Sequence, residues 1–182
     1  MSYKISIKDI TIDINSILDA QRIPEVERAE MLSASVLFIP NGYRDSPQAF
    51  ASGTSEFYAF CRERMSGQVE ICTTEDGYLE VELNSCQLRI NKTIVMSAVL
   101  SVFLNVLGNY ITDWSKTYVM PQETQIECIA PPSVTFSIAV VDSINGVSKQ
   151  FDYDGPAADA PSVVKEIESL WHEQSSNTQP NK

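Results

Sequence analysis

The stretch "KTIVMSAVLSVFLNVLGNYITDW", residues 92–114, decides how this chain is read, because no ionised side chain interrupts it between Lys92 and Asp113. A helix of about 20 apolar residues is long enough to cross a bilayer. Placed at about 100° per residue, residues 94–114 sort by size. Ser97, Ala98, Ser101, Asn105, Gly108, Asn109 and Thr112 gather on one arc with Ile94, and the bulky Val, Leu, Phe, Tyr, Ile and Trp side chains fill the rest.

Three readings compete. A surface helix would carry Lys and Glu on its weaker face, and this one carries amides and small residues. A single span, helix 93–114, would suit small residues at four-residue spacing that let helices self-associate. Its flanks, Arg89 and Lys92 against Lys116, give almost no orientation signal. A helix buried in a water-exposed domain satisfies both faces, with bulky residues on a sheet and small ones on another helix or a second copy. The buried helix is the reading adopted.

Upstream, Lys4–Ile14 alternates apolar residues, with a phase change between Ile7 and Ile10 that reads as a bulged strand. A turn at Asn15 and Ser16 leads to Pro24 and a helix through "PEVERAEMLSASVLFI", with Val26, Ala29, Leu32, Val36 and Leu37 on its inner face. Its end, "SVLFI", reads equally as a buried strand. A loop over residues 39–57 precedes a helix capped by Thr54 or Ser55 and stopped at Ser66 and Gly67. Asp76-Gly77 then signals a hairpin, with Tyr78–Leu83 and Gln87–Ile90 extending the sheet.

Downstream, Thr117–Ala130 reads as extended chain. Val134, Phe136, Ile138 and Val140 alternate, Asn145-Gly146 suggests a type I′ turn, and Val147, Lys149, Phe151 and Tyr153 alternate on the return. Gly155-Pro156 ends that hairpin. A helix begins near Asp159 and Pro161, with Val163, Val164, Ile167, Leu170 and Trp171 on its apolar stripe. The expected fold is α+β: a mostly antiparallel sheet, a central apolar helix, and a C-terminal β-hairpin followed by an amphipathic helix. Residues 1–174 form one domain, with a subdomain joint near 117–132, and residues 175–182 form a disordered tail.

Composition narrows function. The chain has 182 residues, is 43% hydrophobic and 20% charged, and carries a net charge of −11. Nucleic acids and anionic lipid surfaces are held by clustered positive charge, which the sequence lacks. Four cysteines, Cys61, Cys72, Cys86 and Cys128, are widely spaced with only His172 for company, so no zinc pattern forms. With no apolar leader visible, four free thiols in a cytoplasmic location are expected.

No glycine-rich phosphate loop or nucleophile elbow is present, and no cofactor is expected. Lone His172 sits at the end of the last helix, where a frayed terminus holds a catalytic base poorly. Asp9 with Asp13, and Glu80 with Glu82, share strand faces and are the residues a metal-dependent hydrolase would use. Without a basic partner or a surrounding motif they read as solvated carboxylates. Tyr43, Arg44 and Asp45 stand in one loop, and Tyr and Arg favour interfaces. Together with Ser97, Ser101, Asn105 and Asn109 they are the interaction candidates. The expectation is a non-catalytic, soluble, acidic interaction or accessory protein whose partner is another protein or a second copy. The membrane-anchored component and the hydrolase are the alternatives.

Overall fold

The computed structural model describes residues 4–42, 46, 48–66, 68–81, 86–119 and 131–176. Strand β1 (Lys4–Asp9) leads into helices α1 (Ile14–Ala20) and α2 (Glu25–Ser33), then β2 (Val36–Phe38) and β3 (Ala49–Ala51). Helix α3 (Thr54–Arg64) is followed by β4 (Val69–Ile71), β5 (Leu79–Val81), β6 (Gln87–Arg89) and β7 (Thr93–Met96). Helix α4 (Leu100–Val119), the long strands β8 (Ser133–Asp142) and β9 (Val147–Pro156), and α5 (Ala160–Ser176) complete the order.

Seven strands form one sheet in the order β1-β9-β8-β7-β2-β4, with β6 also on β8. The pairs β1/β9, β8/β9 and β2/β7 are antiparallel, whereas β2/β4, β6/β8 and β7/β8 are parallel. By ladder length the sheet is mostly antiparallel, and the expected α+β class holds. Strands β3 and β5 form a separate parallel pair.

The phase change near the start has a different cause from the expected bulge. Strand β1 stops at Asp9, and Asp13 caps α1, its carboxylate accepting from the backbone N–H of Asn15 at 3.0 Å and of Ser16 at 3.3 Å. Ile5 and Ile7 pack into the larger core under α3, α4 and α5. Ile10, Ile12, Ile14 and Ile17 pack into the smaller core on the other face, with Leu18 and Ile23. The chain therefore crosses from one side of the sheet to the other between Ile7 and Ile10, and the expected turn at Asn15 and Ser16 is the first turn of a helix.

The charge-free stretch is two elements rather than one helix. Residues 93–96 are β7, a central strand with β2 and β8 as neighbours, and Ser97–Val99 form a 3-10 turn before α4 begins. Each element is buried for its own reason, and together they mimic a span. Among the described residues, no helix is long and apolar enough to cross a membrane, so the helix 93–114 of the anchored alternative does not form. On α4, Phe103, Leu104, Leu107 and Ile111 are buried, and a Cβ at Gly108 would come within 3.9 Å of Val164 Cγ1 on α5.

Helix α2 ends at Ser33 and "SVLFI" supplies β2, so one apolar pattern again spans two elements. Met31 is the buried residue of α2, while Val26 is 85% and Leu32 43% exposed, which corrects the expected inner face. The Asp76-Gly77 hairpin is absent. Residues Glu75–Gly77 form a 3-10 turn closed by the Gly77 N–H on the Thr74 carbonyl at 3.0 Å. Gly77 is not among the residues with positive φ, which a type I′ turn requires, and β4 and β5 pair with β2 and β3 instead of each other.

The β8–β9 hairpin stands in the expected phase, with Phe136 opposite Tyr153 and Ile138 opposite Phe151. Its connection has four residues, Ser143–Gly146, rather than a two-residue type I′ turn. Asp142 accepts from the N–H groups of Ile144 and Asn145, and only Gly146 takes positive φ, at 66°. Val163, Ile167 and Trp171 of α5 are buried as expected. The helix continues through Ser176. Most of Thr117–Ala130, from residue 120 onward, lies outside the described residues.

Candidate functional site: a carboxylate-lined groove at the β4 edge

Helix α2 is oriented by one arginine. Arg28 donates to the Ile23 carbonyl at 3.0 Å and pairs with Asp19 at 2.6 Å and Glu25 at 3.4 Å. Its charge is spent on the α1 side of the helix, and Met31 fastens α2 to the smaller core. Glu27 and Glu30 thereby face a groove of about 710 Å³ that also involves Pro24, Met31, Tyr58, Glu70, Ile71, Thr73, Thr74 and Asp76.

The floor of this groove is the sheet edge at β4, open among the described residues. Strand β4 ends the strand order and has β2 as its one ladder partner among the described residues. The N–H of Val36 reaches the Gln68 carbonyl at 3.1 Å, and the N–H of Cys72 reaches the Phe38 carbonyl at 2.8 Å. Because backbone direction alternates along a strand, Gln68, Glu70 and Cys72 address β2, while Val69 and Ile71 address the edge. The Thr73 N–H takes the Ile71 carbonyl at 2.9 Å, leaving the Val69 peptide groups and the Ile71 N–H directed outward.

The two walls differ in chemistry. Val69 and Ile71 turn their side chains to the larger core, so Glu70 leaves the strand on the opposite face, where the charges of Arg62 and Glu30 both act on it. On the α3 side a smaller, mainly apolar cleft of about 300 Å³ adjoins, lined by Ser55, Tyr58, Ile71, Thr73, Thr74 and Tyr78. Tyr58 stands T-shaped to Phe38 with ring centroids 6.0 Å apart, and Arg62 lies over the Tyr58 ring, 5.6 Å from its centroid. No lysine or arginine among the described residues lines either cavity. Among the described residues, no salt bridge engages Glu27, Glu30, Glu70 or Asp76, and Arg62 is the cation that acts on Glu70.

Burial raises the Glu70 carboxyl above its ordinary value, Arg62 opposes the rise and Glu30 reinforces it. A raised carboxyl makes the folded chain bind its proton more tightly than the unfolded chain. Stability is full below the unfolded value and falls as pH rises through the folded one. Glu70→Gln is therefore expected to raise the melting temperature at pH 7 and to leave it unchanged below about pH 4. Solvent screening keeps the gain modest. Thermal melts of the pair at the two pH values read this directly, and a lower melting temperature at pH 7 would contradict it.

The residues expected from the sequence fall elsewhere. Tyr43, Arg44 and Asp45 lie outside the described residues, as does Glu82. Ser101, Asn105 and Asn109 are exposed on α4, where the Asn109 amide donates to Asn105 Oδ1 at 3.1 Å. They border a shallow groove of about 430 Å³ against Pro161, Lys165 and Glu168 of α5. Ser97 stands before them in the 3-10 turn and does not line that groove.

Three of the four carboxylates assigned to the hydrolase alternative are described, and those three are engaged locally. Asp9 pairs with Lys149, Asp13 caps α1, and Glu80 accepts from the Ser55 N–H at 2.8 Å at the start of α3 and from the Tyr78 hydroxyl. Asp9 and Asp13 do not share a strand face, since β1 has ended before Asp13. Among the described residues, no group of three or more His, Cys, Asp or Glu side chains is placed to hold a metal ion. The sequence reading missed the β4 groove because Glu27, Glu30, Glu70 and Asp76 belong to three separate segments joined by the parallel β2–β4 pairing.

The expectation of four free thiols is corrected. Cys86 is disulfide-bonded, whereas Cys61 and Cys72 are free and buried. Burial pushes the Cys61 thiol up to about 12 and the Cys72 thiol up to about 11, which keeps both in the unreactive protonated form. A colorimetric thiol count is expected to give close to none on the native chain, two in denaturant without reductant, and four after reduction. Four without reductant would disprove the bridge.

Comparison with protein-family models, with curated proteins and with solved structures gives no match for this chain.

Proposed function

We propose that this chain is a non-catalytic, acidic interaction or accessory protein that engages another protein through the groove along β4. The observation that carries the reading is the coincidence of an open strand edge with four carboxylates that no salt bridge within 4 Å neutralises among the described residues. Elsewhere on the surface some acidic side chains are paired, as in Lys8–Asp152, Lys149–Asp9 and Lys116–Asp113. Such a rim favours a partner of opposite sign and speeds its encounter. Cytoplasmic location, expected partly from free thiols, loses that support now that Cys86 is oxidised, since disulfides persist in oxidising compartments.

The test is affinity capture from the native host with three baits: the unaltered chain, Glu27→Lys with Glu30→Lys and Asp76→Lys, and Arg44→Ala. A protein retained by the first and third baits, lost by the second, and rebound as a purified component supports the reading. Identical capture by all three, or loss on Arg44→Ala alone, moves the interface away from β4 and overturns it.

A further inference from the structure

The β4 groove has a chemistry specific enough to name what fits it. We infer that it binds an extended basic segment of a partner chain by strand addition to β4, with side chains alternating between basic and apolar. This rests on the protein-binding reading above and gives it a recognition code.

The backbone sets the first half of the argument. The outward-directed Val69 peptide groups and Ile71 N–H are the groups an incoming strand would pair, as in other edge-strand recognition. Such an edge left bare is a liability that proteins usually blunt with lysine, proline or a covering element. Among the described residues, the β4 edge is flanked rather than covered, by α2 on one face of the sheet and by α3 on the other.

Those flanks set the second half. Side chains of an extended strand alternate between the two faces. Residues of an added strand that point to the α2 side meet Glu27 and Glu30, with Glu70 at the edge between the two sides, which suits lysine or arginine. The intervening residues point to the α3 side and meet the cleft of Tyr58, Ile71 and Tyr78, which suits valine or isoleucine. Arg62, at the Tyr58 corner, tells against a second basic row on that side. With only three residues in β4 the added ladder is short, so charge supplies much of the attraction and salt weakens it.

The experiment is fluorescence anisotropy of the full chain with a labelled peptide of four Lys-Val repeats. Its comparators are a block peptide of four lysines followed by four valines, a peptide of four Glu-Val repeats, and two Lys-Val versions N-methylated along one edge or the other. The alternating peptide is expected to bind, and the block peptide and one of the two methylated forms to bind at least about tenfold more weakly. The Glu-Val peptide is expected not to bind, and Glu27→Lys with Glu30→Lys to abolish binding while leaving the melting curve in place. Equal binding of the block and both methylated peptides would overturn strand addition yet leave a charge-driven protein interface standing. Binding of none of the peptides would overturn the inference, and the capture experiment would then decide the broader reading by itself.

Discussion

Replacing Asn91 by leucine is expected to lower stability by about 2–5 kcal/mol, and the melting temperature by about 5–15 °C. Asn91 is fully buried and ties three segments together. Its Oδ1 accepts from the Ala51 N–H at 2.9 Å and lies 3.2 Å from the Thr54 hydroxyl, and its amide donates to the Ile39 carbonyl at 3.1 Å. The end of β2, the end of β3 and the first residue of α3 all hang on this one side chain. Leucine has the same branching and no polar atoms, so it strands a buried donor and a buried acceptor, each worth about 1–3 kcal/mol. Thr93→Val, a neighbouring buried change that removes one hydroxyl bonded to the Asn91 carbonyl at 3.0 Å, should cost only about 1 kcal/mol. Urea denaturation of the two variants beside the parent measures the contrast. Equal small losses would show that Asn91 is not the tie described.

Phe57→Ala is expected to cost about 3–5 kcal/mol, a large share of the about 5–15 kcal/mol by which a folded domain is usually stable. The Phe57 ring lies 5.5 Å from Phe38, 6.2 Å from Phe103 and 4.7 Å from Tyr110, measured between centroids. It thus joins α3 to both the sheet and α4. Tyr58, next in sequence, forms the α3 wall of the groove, so loosening the helix should also weaken binding of the alternating Lys-Val peptide. Phe57→Leu, which keeps most of the volume, should retain most of both properties. A stable Phe57→Ala variant with unaltered peptide affinity would refute the anchoring role.

What the sequence made legible was local. The β8–β9 pairing and the stripe of α5 were readable because alternating and helical periods each ran uninterrupted through one element. Elements joined without a polar break were not. "SVLFI" runs on from α2 into β2, and "TIVM" runs into α4 through a 3-10 turn, so each pair presents one apolar pattern covering two elements. At Asp76-Gly77 a strong turn signal was overruled because β4 found a parallel partner in β2, 33 residues earlier at Val36↔Val69. Helix α1 escaped notice because its seven residues follow Asp13 and carry Asn15 and Ser16 in their first turn, residues that a cap and a turn use alike. The groove depends on such distant pairings, and no single window of sequence contains it.

The pairing of β1 with β9 has a consequence for how the chain reaches this state. Lys8 sits opposite Gln150, and Asp9 bonds Lys149 across 140 positions. During synthesis β1 must wait until β9, about 140 positions further on, has left the ribosome, roughly seven seconds or more at about 5–20 residues per second. Through that interval Ile5 and Ile7 have no ladder to join, while α1, α2, β2 and β4 already have nearby partners. Assembly would proceed from the β2 end of the sheet, and closure of its first strand would be the last step, slow in the way that distant pairings are slow.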